Sequence, residues 1–247
     1  MSYNIMHLLK EIIKGGLQLK EYKIFIFNNK NNLDMDLKVV SLPEIQDSAK
    51  NVTKQDIDGR DGTLTEFNGY TNDTKQVECD YRGNQPDKIV KWLRGKGPVI
   101  FGNRPDRFYN AEINNSVPLN QVIENKLYNF LVQFDCQPFG YLLDGQEYRV
   151  ITSGTKLLNG KADYISKPLV RISGTGLCTF TINSRTFTIS EIGTSITIDS
   201  DIESCYAGKD EMINGDYPYL EPNVENSISW SGSGVTKVEI MPRWRCI

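Results

Sequence analysis

From Tyr141 to Ile247 the sequence carries no helical period, and this constrains the fold more than any single motif does. Short runs rich in Thr, Ile, Val and Phe recur there, with turn residues between them. "PLVRISG" leads into "LCTFTINSRTFTIS", which reads as a hairpin turning at Asn183-Ser184-Arg185. "TSITIDSD" follows. "NSISWSGSGVTKVEIMPRWR" reads as a second hairpin with Ser231-Gly232-Ser233-Gly234 at its tip. Short strands at a spacing of about 8–12 residues, punctuated by turns, predict a β-sandwich.

The first part of the chain is patterned differently. Ile5, Leu8, Leu9, Ile12 and Ile13 fall at helical spacing before Gly15-Gly16, which predicts a short amphipathic helix. "YKIFIFNN" predicts a strand and turn, and the alternation of "LDMDLKVVSL" predicts a half-buried strand. "NQPDKIVKWLRGKG" predicts one further helix. Pro86 suits its first position and Asp87 its positive end. Ile89, Val90, Trp92 and Leu93 form its apolar stripe, and Gly95 or Gly97 should stop it. Strands then resume at "PVIFG", "RFYNAEIN" and "LYNFLVQFDCQPF". The last alternates Tyr128, Phe130, Val132 and Phe134 against polar neighbours and should end at Pro138. The domain boundary is expected near residues 139–150.

Composition narrows the classes. Of 247 residues 39% are hydrophobic and 24% charged, enough apolar material for a core. A net charge of −3 makes no general claim on nucleic acid or anionic membrane. No run of about 18 apolar residues is present, so no spanning helix is expected. The N-terminus lacks a basic leader, and Lys10 and Glu11 break its apolar run. A protein made in the cytoplasm and not exported by the general pathway is expected. The five cysteines, Cys79, Cys136, Cys178, Cys205 and Cys246, are widely spaced, and His7 is the single histidine. That excludes the usual zinc patterns and predicts free, buried thiols.

The stretch "QDIDGRDGTL", Gln55–Leu64, holds three aspartates and two glycines and invites a calcium reading. An EF-hand loop starting at Asp56 would place Arg60 at position five and Phe67 at position twelve, and starting at Asp58 it would place Arg60 at position three. Both registers fail, so Asp58-Gly59 and Asp61-Gly62 are read as turn dipeptides. No nucleophile elbow, P-loop or dinucleotide loop occurs. Asp199, Asp201 and Glu203 could supply a carboxylate pair for glycoside hydrolysis, but such a cluster is more often a solvated strand end. Lys91, Arg94 and Lys96 are read as compensation of a helix dipole. Residue chemistry alone therefore gives a two-part, mainly β chain with no visible active site, metal or cofactor.

The order of these pieces carries more than any one of them. "FIFNNKNNLDMDLKVV", "IDGRDGTL", "DKIVKWLRGKG", "PVIFGNRPDRFYNAEI", "FLVQFDCQPFGY", "KPLVRISGTGLCTFTIN", "ITIDSDIESCY" and "VTKVEIMPRWR" follow one another across residues 22–247. This succession resembles the distal tail proteins of bacteriophages that infect Gram-positive bacteria, and related components of prophages and tailocins. The resemblance implies a β-sandwich-like ring-forming belt domain with one helix over residues 22–140. It implies a galectin-like β-sandwich over residues 141–247, and leaves residues 1–21 as an added N-terminal helical extension. It further implies a non-enzymatic virion protein at the tail tip or baseplate. Six copies would form a ring between the tail tube protein and the tail hub, with DNA only passing through and no membrane contact. Receptor-binding proteins would attach to it. Asp58, Gly59, Arg60, Asp61 and Gly62 become candidate ring contacts. Some relatives bind carbohydrate with the second domain, for which Tyr219 and Trp230 are the candidate stacking pair. The rival expectation is a carbohydrate-binding module that attaches to the host cell wall.

Overall fold

The computed structural model describes residues 23–247 apart from 60, 116, 124–125 and 207–212. The predicted N-terminal helix and Arg60 lie outside the described residues. The chain divides into two compact units between Gly140 and Tyr141.

The first unit contains strands β1 (Phe25–Phe27), β2 (Lys30–Asn31), β3 (Leu37–Ser41), β4 (Lys50–Asp56), β5 (Thr63–Tyr70) and β6 (Asp73–Arg82). Helix α1 (Pro86–Trp92) comes next, then β7 (Gly95–Phe101), β8 (Arg107–Ile113), β9 (Asn120–Ile123) and β10 (Leu127–Leu142), whose last two residues belong to the second unit. The sheet order is β2-β1-β7-β8-β10-β6-β3, with β9 beside β10. Alternation makes this a one-core sheet. Phe25 and Phe27, Val99 and Phe101, Val77 and Cys79, and Phe130, Val132 and Phe134 all meet in one buried cluster. The sheet must curl for strands so far apart in its order to share a core. Helix α1 closes it. Trp92 stacks on Phe25 at 5.4 Å, and its Nε1 donates to the Phe27 carbonyl at 3.1 Å.

Three local expectations need correction. Leu33–Met35 form a 3-10 turn rather than the start of a strand. Asn31 and Asp34 redirect that backbone: the Asn31 N–H donates to Asp34 Oδ2 at 3.2 Å, and the Leu33 N–H to Asn31 Oδ1 at 3.0 Å. The helix stops at Trp92, before either glycine; Gly95, at φ 78°, instead turns the chain into β7. Strand β10 runs through Pro138 to Leu142. The β6 ladder beside it already ends with Cys136 opposite Asp73, so the missing N–H of proline removes no bond from that ladder.

The second unit holds β11 (Arg149–Ile151), β12 (Thr155–Leu157), β13 (Leu169–Gly174), β14 (Cys178–Ile182), β15 (Arg185–Ile189) and β16 (Ser195–Asp199). β17 (Ser204–Cys205), β18 (Ile213–Gly215), β19 (Asn226–Ser231), β20 (Val235–Met241) and β21 (Arg245–Cys246) complete it. Two antiparallel sheets, β11-β20-β13-β16-β17 and β12-β19-β14-β15-β18, bury Val170, Ile172 and Val238 from one and Phe180, Phe187 and Ile228 from the other in one core. β14 and β15 form the expected hairpin, with Asn183 at φ 54° in its turn. The second expected hairpin is absent. β19 and β20 belong to different sheets, and Ser231–Gly234 carries the chain from one to the other. Gly232 takes φ 140° there, and an added Cβ would fall 2.5 Å from the Leu177 carbonyl oxygen.

A half-buried ion pair ties the end of the chain to β16. Arg243 donates from Nη1 to Asp199 Oδ1 at 2.6 Å and from Nη2 to Oδ2 at 3.1 Å. Tyr206 Oη donates to Oδ2 at 2.8 Å and the Asp201 N–H to Oδ1 at 3.0 Å. Burial works to raise the Asp199 carboxyl, but these donors outweigh it and hold it below the ordinary aspartate range.

Three substitutions have stated stability outcomes. Phe134→Ala, at a fully buried ring, should cost about 3–5 kcal/mol in denaturant unfolding. Leu64→Ala on the exposed β5 should stay within about 0.5 kcal/mol. Asp199→Asn strands a guanidinium and should cost about 3 kcal/mol, the low end because Arg243 keeps 21% exposure. A depressed native carboxyl stabilises above the unfolded pKa of about 3.9 and loses that contribution below it. The gap between wild type and Asp199→Asn should therefore hold at neutral pH and shrink as pH falls below about 4; a gap that widens in acid contradicts the assignment.

Candidate functional site

The feature that the first unit's core leaves unexplained is the β4–β5 hairpin. It forms its own two-stranded sheet, paired from Lys50↔Tyr70 to Asp56↔Thr63. Every residue of β4 is exposed, as are the first six of β5. The ladder sets Val52 opposite Phe67 on one face and Leu64, opposite Gln55, on the other; these three and Ile57 beside the tip remain 39–51% exposed. The base is anchored by the Thr71 N–H donating to the Ala49 carbonyl at 2.9 Å. Rings continue the anchor: Phe67 meets Tyr70 edge-on at 5.3 Å, and Tyr70 meets Phe139 at 6.0 Å. An isolated two-stranded ribbon is marginal in water. A long exposed ribbon with apolar side chains on both faces is therefore suited to being covered.

The quoted aspartates sit at its far end. Gly59 and Gly62 take φ 79° and 86°, and Asp58 and Asp61 are exposed beside them. An added Cβ at either glycine would meet nothing within 4 Å, so backbone conformation alone asks for glycine there. Among the described residues no cluster of three or more metal-ligating side chains exists. The tip is an acidic turn.

The other sequence candidates are placed separately. Trp230 is half-buried on the inner side of its sheet, stacked on Phe180 at 6.1 Å. Tyr219 lies under the Arg185 guanidinium at 4.1 Å. Each ring thus already has a partner on one face. Asp199 is saturated by Arg243, Tyr206 and the Asp201 N–H, while Asp201 faces Lys167 at 3.8 Å. A general acid needs a raised pKa; Asp199 is shifted the other way. The role of Arg243 was not visible in sequence, because its partner lies 44 residues earlier. All five cysteines are free and buried. Burial pushes the Cys79 and Cys136 thiols up to about 12 and Cys178 to about 11, which leaves them unreactive.

No protein-family model and no curated protein matches the chain. Solved structures do. The SPP1 Dit protein, presented as a paradigm of the hub adsorption apparatus in phages infecting Gram-positive bacteria, aligns with a TM-score of 0.69 at 13% identity. That alignment covers 91% of this chain and 99% of the other. Chains of the phage p2 baseplate in its activated conformation, with Sr or with Ca, align at TM-scores of 0.47 and 0.45, with 6% and 7% identity over 88% of this chain and 96% of theirs. The two-unit, mainly β fold implied by the sequence resemblance is the fold this chain has, shared with the SPP1 protein along nearly its whole length.

Proposed function

We propose that this chain is a structural component of a phage tail tip, acting by assembly rather than catalysis. The observation that carries it is fold likeness to a hub adsorption protein across both units, not one domain alone. In this reading the belt domain, residues 22–140, closes a ring of six copies between the tail tube and the baseplate hub. The galectin-like sandwich, residues 141–247, faces outward as a platform for receptor-binding or other baseplate proteins.

The physics of the first unit supports ring formation. A ring needs two different surfaces meeting head to tail about a closing rotation. The β4–β5 hairpin supplies one, projecting exposed apolar side chains that gain free energy when covered. Residues 1–140 carry 18 basic and 18 acidic side chains, so a lumen made from them need not grip the DNA that passes through.

Light scattering of the purified full-length chain should give one species near six times 28.1 kDa, and electron microscopy a sixfold ring. A single-chain mass that persists through the micromolar range, with no rings in the micrographs, overturns the reading.

A further inference from the structure

Helix α1 borders an open groove of about 540 Å³. Pro86 and the outer edges of Met35 and Trp92, themselves 5% and 8% exposed, form its floor, Asn84 and Gln85 also line it, and its rim carries Lys30, Lys88 and Lys91. One carboxylate, Asp87, also lines it, leaving the rim with two net positive charges. None of the three lysines has an ion-pair partner among the described residues. The hairpin tip is its counterpart. Asp56, Asp58 and Asp61 against Arg60 leave residues 56–62 with two net negative charges, and Ile57 stands 39% exposed among them. The described acidic groups of the tip are likewise without ion-pair partners.

We propose that the acidic tip of the β4–β5 hairpin of one copy docks in the lysine-rimmed groove beside α1 of the next. This rests on the ring reading and names the contact that would build the ring. Charge complements charge at the rim, and Ile57 meets the floor of Met35 and Trp92. Seven residues of β4 extend roughly 23 Å, enough to carry the tip away from its own core. A polyanion such as nucleic acid fits less well. Asp87 opposes phosphate, and the apolar floor offers it nothing. Tip and groove are different surfaces of one unit, as a head-to-tail contact requires.

The test uses the full chain with charges exchanged. Asp58→Lys with Asp61→Lys should weaken self-assembly about tenfold or more, and Lys88→Glu with Lys91→Glu should do the same. Mixing the two variants in equal amounts should restore assembly, because each tip then meets an opposite groove in an alternating ring. Circular dichroism should match wild type in both. As a second readout, chains bearing Asp58→Cys mixed with chains bearing Lys88→Cys should form disulfide-linked pairs on mild oxidation; the five native thiols are buried and stay silent. If wild type assembles while both charge variants keep their mass and no cross-link forms, the docking is overturned and the ring stands. Loss of assembly that mixing fails to restore, or that only the groove variant shows, also overturns it. A wild type that stays monomeric and gives no cross-link overturns docking and ring together.

Discussion

The ring of Phe134 holds the first unit's sheet closed. It meets Phe25 at 5.7 Å, Phe27 at 5.5 Å and Phe101 at 5.6 Å, each edge-on. Those partners come from β1 and β7, while Phe134 comes from β10, more than one hundred residues after β1. No local propensity can bring such residues together. They meet because each strand must hide one face, and a sheet that curls hides many faces in one place. Edge-to-face geometry then fixes how far the curl goes. Helix α1 depends on the same cluster. With seven residues it is too short to persist alone, and Trp92 stacked on Phe25 is what holds it.

The parts of this architecture that the sequence disclosed are those in which chemistry acts within a few residues. Alternation named Tyr128, Phe130, Val132 and Phe134 as one buried row, Pro86 marked the helix start, and Asn183 marked a tight turn. What stayed hidden depends on distant partners. "SGSG" between two strands looks the same whether the chain returns along one sheet or crosses to another; the choice is made by β13 and β14, which claim β20 and β19. Pro138 reads as a stop until β6 is known to have ended beside it. Arg243 looks like one more surface cation until Asp199 is found beneath it.

The hairpin shows the same limit from the functional side. "TLTEFNGY" has the composition of a core strand, and nothing local says that its apolar residues face solvent. The aspartate-glycine tip was legible as a turn and its rejection as a calcium loop followed from spacing. Its proposed counterpart was not legible. Lys30 lies 58 residues before Lys88 in the chain, and only the pairing of β1 with β2 and β7 sets it beside the helix.

An acidic tip does more than attract a basic groove. An exposed ribbon with Val52, Leu64 and Phe67 on it is a hazard, since two such ribbons could pair with one another. Pairing tip to tip would bring six aspartates together, a like-charge cost that grows as the contact dries. Pairing tip to groove removes that cost and covers Ile57 in the same step. The charges thus oppose the symmetric contact, which would end at a dimer, and favour the head-to-tail contact, which can continue around a ring. In the proposed assembly, covering Ile57 supplies part of the affinity, while the aspartates and lysines choose which two surfaces meet.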